Sequence, residues 1–302
     1  TPKEIVAVLG EKNGREFCEL YNITESGNFE GKSIPNLVHT LLGRVKARKY
    51  ALAIDRQKLL ERRNKRIHPY KDDKILTSWN GLMIAALAKA YRVFGNNAYR
   101  QAAEQALTFI LKKLRRADGR LLARYRQGEP AYPAYADDYA YIIWGILELY
   151  EATFETSYLR LALELNRDLI KYFWDTDEGG LYFYGSDVEE QILRPKEVYD
   201  GAIPSANSIA ARNFSRLSRL TDFTDLEEKA SQIFTVFAST VKQYPPGYSA
   251  LLIAAMLLLY PSCEVVVVGE KHSPEVNRML DYLKTTFLPN STFLFRSTSD
   301  GE

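Results

Sequence analysis

Tyr91-Arg92-Val93-Phe94-Gly95-Asn96-Asn97-Ala98-Tyr99-Arg100-Gln101-Ala102-Ala103 joins an apolar segment to an amphipathic one through a three-residue polar turn, and the arrangement returns along the chain. Tyr91, Tyr99 and Ala103 are matched by Tyr150, Tyr158 and Ala162, and more weakly by Leu217, Leu226 and Ala230. Self-similarity at about 60 residues is the mark of an array of supersecondary units. In each copy an apolar helix runs into a short polar loop, and apolar residues at 3.6 spacing follow. The unit is a helical hairpin.

The first helices are expected from Trp79 to Phe94, Tyr139 to Phe154 and Ala206 to Leu220, apolar on nearly every side and so buried. The second helices, Tyr99 to Leu114, Tyr158 to Phe173 and Leu226 to Val241, carry charge on one face and read as an outer layer. Inner helices alternating with outer ones describe an α-solenoid or an α/α toroid. The connections decide for the toroid: Asp118-Gly119 precedes a β-prone run at Arg120 to Arg126, and Glu178-Gly179-Gly180 precedes runs at Leu181 to Tyr184 and Glu190 to Arg194. Solenoid connections are shorter.

Further helices are expected around Pro35 to Arg48, Asp55 to Arg66 and Tyr248 to Leu259. That makes roughly four hairpins, fewer than a closed six-hairpin ring. After Pro261 a β-run at Glu264 to Val268, a helix capped by Ser273 and a β-run at Thr292 to Phe295 form a small α/β appendage. The expected organisation is a connecting segment 1–34, toroid hairpins 35–260 and an appendage 261–302.

Forty basic and 38 acidic residues leave a net charge of +2, too little to draw in nucleic acid or a membrane surface. The two cysteines, Cys18 and Cys263, fit neither a disulfide framework nor a zinc site, and no apolar run reaches the roughly 18 residues of a membrane span. A cytoplasmic protein without metal or cofactor is expected, and the chain, which opens without Met, is expected to be cut from something longer.

Chemistry concentrates where the inner helices begin. The first start is His68-Pro69-Tyr70-Lys71-Asp72-Asp73-Lys74-Ile75-Leu76-Thr77-Ser78-Trp79-Asn80-Gly81, the second Tyr132-Pro133-Ala134-Tyr135-Ala136-Asp137-Asp138-Tyr139, and the third runs from Arg194-Pro195-Lys196-Glu197 to Asp200 and Ser205-Ala206-Asn207. An Asp or Ser before a helix is most often a cap. Three starts that each gather acids, amides and aromatic rings, converging on one rim, also suit a hydroxylated ring, which stacks on aromatic faces and hydrogen-bonds to carboxylates. With three histidines, no phosphate loop and no nucleophile elbow, other chemistries fare worse.

The motifs Asp72-Asp73-Lys74-Ile75-Leu76-Thr77-Ser78-Trp79-Asn80-Gly81, Asp137-Asp138-Tyr139-Ala140, Arg194-Pro195-Lys196-Glu197 and Asp200-Gly201-Ala202-Ile203-Pro204-Ser205-Ala206-Asn207, with Gly27 to Lys32, resemble the YyaL-like proteins related to spermatogenesis-associated protein 20. The resemblance covers nearly the whole chain. It implies the C-terminal part of a protein with a thioredoxin-like domain followed by a six-hairpin α/α toroid, similar to toroids of sugar epimerases and glycosidases. A reaction is not implied.

The expected function is a carbohydrate-active pocket in which Asp138 and Asp72 or Asp73 supply the acid and base of glycoside cleavage. Trp79, Tyr135 and Tyr139 would stack on the ring, Asn80, Asp200 and Asn207 would bond its hydroxyls, and Glu30, His68, Lys74, Arg194, Lys196 and Ser205 complete the expected binding set. The alternatives are an epimerase, or a non-catalytic module serving the absent thioredoxin-like domain. The expected partners are a small-molecule sugar, the missing N-terminal segment of the same protein, and a second copy through self-association.

Overall fold

The computed structural model describes residues 1–188 and 193–298. Two compact units divide the chain, residues 1–72 and residues 73–302. No helix among the described residues is long and apolar enough to cross a membrane.

The first unit holds α1 (Pro2–Leu9), α2 (Glu11–Leu20), α3 (Leu42–Ala47) and α4 (Lys49–Asn64) around a small core of Leu9, Phe17, Cys18, Leu20, Ile23 and Leu52. Gly14 lets α2 lie on α1, since a Cβ there would sit 2.7 Å from the Val6 Cα. The helix expected from Pro35 begins only at Leu42. Asn36 spoils its first turns: the side-chain oxygen takes the Val38 amide in an Asx turn, and the Asn36 amide bonds the Tyr21 carbonyl. Conversely α4 starts before the expected Asp55. Both helices belong to this unit.

The second unit begins with β1 (Ile75–Leu76), α5 (Thr77–Phe94) and α6 (Asn97–Lys113), continues through β2 (Leu122–Arg126) and β3 (Glu129–Pro133) to α7 (Ala136–Thr153) and α8 (Thr156–Phe173), and then α9 (Ala206–Thr221) and α10 (Thr224–Gln243). A 3-10 turn at Pro245–Tyr248 leads into α11 (Ser249–Leu259). The sequence closes with β4 (Cys263–Gly269), α12 (Pro274–Thr285) and β5 (Ser291–Ser297). Helix accounts for 59% of the described residues.

α5, α7, α9 and α11 are neighbours in that order, with α6, α8 and α10 behind them. Each hairpin turns at a left-handed residue after its inner helix: Gly95 (φ 67°), Phe154 (φ 56°) and Asp222 (φ 58°). Ala103, Ala162 and Ala230, equivalent in the repeat, are all fully buried. α7 is nearly all interior, and burial of each of Ile142, Ile143, Ile146, Leu147 and Leu149 contributes about 1.5–3 kcal/mol. It meets α5 at very close range through two glycines. A Cβ on Gly81 would lie 2.5 Å from the Tyr141 carbonyl carbon, and one on Gly145 would lie 2.9 Å from the Gly81 oxygen.

β1, β2 and β3 form an antiparallel sheet that ties the first hairpin to the start of α7. The β-prone run at Leu181 to Tyr184 is not a strand; only Leu181 makes a bridge, to Trp174. Its backbone is held by a side chain, since the Asn207 amide group accepts from the Leu181 N–H at 2.7 Å and donates to the Leu181 carbonyl at 3.0 Å. Of the run Glu190 to Arg194, residues 190–192 lie outside the described residues, and Leu193 and Arg194 are not in a strand. β4 and β5 pair in parallel, and Val267, Phe293 and Phe295 join the core of the hairpins.

Candidate functional site

The residues singled out at the helix starts prove to be backbone clamps in large part. Asp138 is 2% exposed, and each of its carboxylate oxygens accepts an amide: Oδ1 from Ser78 at 2.7 Å and Oδ2 from Tyr135 at 2.8 Å. One carboxylate thereby serves the N-termini of α5 and α7 together, where orphan N–H groups and the helix dipole favour negative charge. Asp200 does similar work, accepting from Ser205 at 2.8 Å through Oδ1 and from Ala250 and Leu251 at 2.8 and 3.2 Å through Oδ2. Asn207, 1% exposed, adds a bond to the Glu197 carbonyl at 2.8 Å to its two on Leu181. Ser205 caps α9 through the Ser208 amide. These bonds sculpt the loop 195–205 against the starts of α7 and α9.

What they build is a cavity of about 200 Å³ lined by Asp137, Tyr141, Phe183, Glu197, Tyr199 and Ser205, among others. Tyr141 closes one wall by donating its hydroxyl to the Pro204 carbonyl. Asp137 and Tyr141 stand on one face of α7, four residues apart. Among the described residues, no cation pairs with Asp137 or Glu197. The Asp137 carboxylate accepts from the Asp138 amide, at 2.9 Å.

Burial raises the Asp137 carboxyl to about 6, against the pull of nearby amides, and the Glu197 charge adds to the rise. Burial also raises Asp138, helped by the Asp137 charge and opposed by the Tyr135 and Ser78 amides. Both directions have the cause expected of adjacent carboxylates in a dry place. The two Asp138 oxygens are spent on amides, so the proton that a ligand in the cavity can reach is the one on Asp137.

The remaining candidates are dispersed. Tyr139 is fully buried, its hydroxyl bonded to the Leu121 amide at 3.0 Å and its ring against Phe173, so it is core and has no face to offer a sugar. Tyr135 is already stacked on Phe183 at 5.0 Å. Asp73 is paired with Arg126 on β2 at 2.7 Å. Trp79 is 62% exposed on α5, and Asn80 bonds back to the Leu76 carbonyl at 2.8 Å. Lys196 is held by Asp175, by Glu178 at 3.2 Å and by the Gly179 carbonyl, while Arg194 lies over the Tyr182 ring and bonds the Tyr184 carbonyl at 3.0 Å. Lys74 is exposed just before β1. Glu30, His68 and Asp72 belong to the first unit; Glu30 stands in a turn at φ 48°, and the exposed His68 contacts the Asn64 carbonyl.

Asp137, Tyr141, Glu197 and Tyr199 are cavity residues that motif reading passed over, although all four lie inside quoted motifs or directly beside them. The available signal was helical phase. Adjacent residues on a helix point about 100° apart, so Asp137 and Asp138 cannot share one task.

Architecture and site together define a mainly helical protein of inner helices backed by outer ones, with its candidate site where inner helices begin. Its homologues carry the name to which the motifs pointed. The chain is 26% identical over 340 residues to spermatogenesis-associated protein 20 of Homo sapiens, covering 100% of this chain and 43% of that protein. An uncharacterized protein of Caenorhabditis elegans is 29% identical over 323 residues, covering 95% of this chain and 43% of that protein. The chain thus spans less than half the length of the curated relatives it matches. No family model matches. Among solved structures the chain is similar to a cellobiose 2-epimerase from Bacillus thermoamylovorans, at TM-score 0.47 and 18% identity over 56% of this chain and 46% of that one. It is also similar to a family 105 glycoside hydrolase from C. acetobutylicum, at TM-score 0.46 and 14% identity over 79% of this chain and 74% of that one.

Proposed function

We propose that the cavity at the start of α7 and α9 binds a carbohydrate ring, and that Asp137 and Glu197 are the groups that act on it as acid and base in glycoside cleavage. The observation that carries this reading is a pair of carboxylates without cation partners facing one cavity, one of them with its pKa raised into the range where an acid can give its proton near neutral pH. Tyr199 offers a ring face, and the Ser205 oxygen, whose hydroxyl proton goes to Ser208 Oγ, can still accept a hydrogen bond. A volume of about 200 Å³ falls below the ~300–1,000 Å³ of pockets for drug-sized ligands and suits a single ring. An epimerase built on histidine fits less well, because His272, the one histidine of the second unit, lies far along the chain, before α12.

The test is a thermal-shift screen of monosaccharides and uronic acids, followed by turnover of matching aryl glycosides by wild type, Asp137→Asn and Glu197→Gln. The reading expects a stabilising sugar, and turnover that falls at least about a hundredfold in each variant while the melting curve stays cooperative. A sugar that binds with no turnover in any arm leaves a binding module and removes the catalytic part. Turnover that survives both substitutions removes these residues from the reaction.

A further inference from the structure

Further along the same face of α7, a second buried acid meets basic side chains from α5 and α9. Asp137, Tyr141, Trp144 and Glu148 follow one another at helical spacing, and Glu148 lies about 16 Å along the axis from Asp137. Around Glu148 stand Lys89 and Arg92 from α5 and Arg212 and Arg216 from α9. Glu151, one turn on, takes Arg216 at 2.6 Å and also Arg92. Four cations thus meet two carboxylates.

The pairing is uneven. Arg216 bonds Glu148 Oε1 at 3.0 Å, and the Trp144 indole N–H donates to the same oxygen at 2.9 Å. Arg212 reaches that oxygen only at 3.5 Å and Lys89 only at 3.9 Å. Among the described residues Lys89 has no hydrogen-bond partner, and its side chain is 50% exposed. Arg212, 20% exposed, lies over the Trp144 ring with its guanidinium carbon 5.1 Å from the centroid. The electrostatics report the same excess. The Glu148 carboxylate holds the Lys89 ammonium up, but burial and the charges of Arg212, Arg216 and Arg92 outweigh it and leave Lys89 below the lysine range. Burial lowers Arg212 and the Arg216 charge adds to that, with Glu148 opposing. The buried Nε of Arg92 also lacks an acceptor.

We infer that this cluster is an anion site: Lys89 and Arg212 grip an oxyanion group of a small molecule, a phosphate or a carboxylate, against the Trp144 ring, while Arg92 and Arg216 behind them occupy the Glu148 and Glu151 carboxylates. An oxyanion supplies the acceptor that Lys89 lacks and a closer one than Arg212 has in Glu148 at 3.5 Å, and charge-assisted bonds of this kind are about twice as strong as neutral ones. The inference does not depend on the cavity at Asp137 binding a sugar, because no residue is shared between the two.

The experiment is calorimetric titration of the full chain with inorganic phosphate in one arm and acetate in another, at an ionic strength fixed with chloride so that general screening is constant. Lys89→Gln is the informative variant, since its half-exposed side chain can be changed without disturbing the buried pairs; Arg212→Gln is the second. Saturable binding of either anion to wild type, weakened about tenfold by Lys89→Gln, supports the site, and the arm that responds identifies the group. Absence of saturable heat in both arms overturns it. So does binding that neither substitution weakens.

Discussion

The Asp138 carboxylate accepts the Ser78 amide at 2.7 Å across 60 residues of chain, and so fixes the start of α5 to the start of α7. Because its other oxygen takes the Tyr135 amide, an asparagine there must turn an NH₂ group toward an N–H donor. A simple helix cap would tolerate Asp138→Asn almost without cost. The double clamp predicts a loss of about 1–3 kcal/mol, the cost of one stranded buried amide. Denaturant midpoints measure it, and a midpoint equal to wild type would show that the two amides have other partners.

Gly81 and Gly145 set the spacing of α5 and α7. A methyl group on Gly81 meets backbone at 2.5 Å, which no rotamer can relieve. Gly81→Ala should therefore push the helices apart and cost several kcal/mol, well beyond the gain in helix propensity of about 1 kcal/mol. Ala162→Leu, which overpacks the contact behind α7, should cost about 1–3 kcal/mol. Thermal melting of both variants decides whether this close approach is required.

The raised pKa of Asp137 gives stability a pH dependence of definite sign. A carboxyl that keeps its proton to about pH 6 when folded, but releases it near 4 when unfolded, favours the folded state fully below pH 4; that advantage disappears as pH rises through about 6. Asp138, also raised, extends the decline upward. Asp137→Asn should flatten the curve between about pH 4 and pH 6 and be relatively more stable than wild type above it. Unfolding free energies across that window check this. Parallel curves would mean that Asp137 titrates normally.

The hairpins were legible from residues alone because each inner helix is apolar on nearly every side and each turn carries a residue suited to a left-handed or capping position, as at Gly95 and Asn96. The first unit was less legible. Pro35 to Arg48 has helix-forming residues, but a single Asx turn at Asn36 delays the helix to Leu42. At the candidate site, spacing marked the loops that line the cavity, while the carboxylates that line it are Asp137 and Glu197 rather than Asp138, Asp72 or Asp73. Nothing in Asp137-Asp138 says which acid the backbone of α5 will claim, since Ser78 lies 60 residues away. The clamp on Leu181 by Asn207 is equally non-local, and it turned a β-prone run into irregular chain.

The ligand-bound structure tests the central claim most directly. With a monosaccharide chosen by the screen, the account predicts the ring in the cavity beside Tyr199, with its oxygens about 2.6–3.2 Å from carboxylate oxygens of both Asp137 and Glu197. A saturating sugar bound elsewhere, with neither carboxylate in contact, would contradict it.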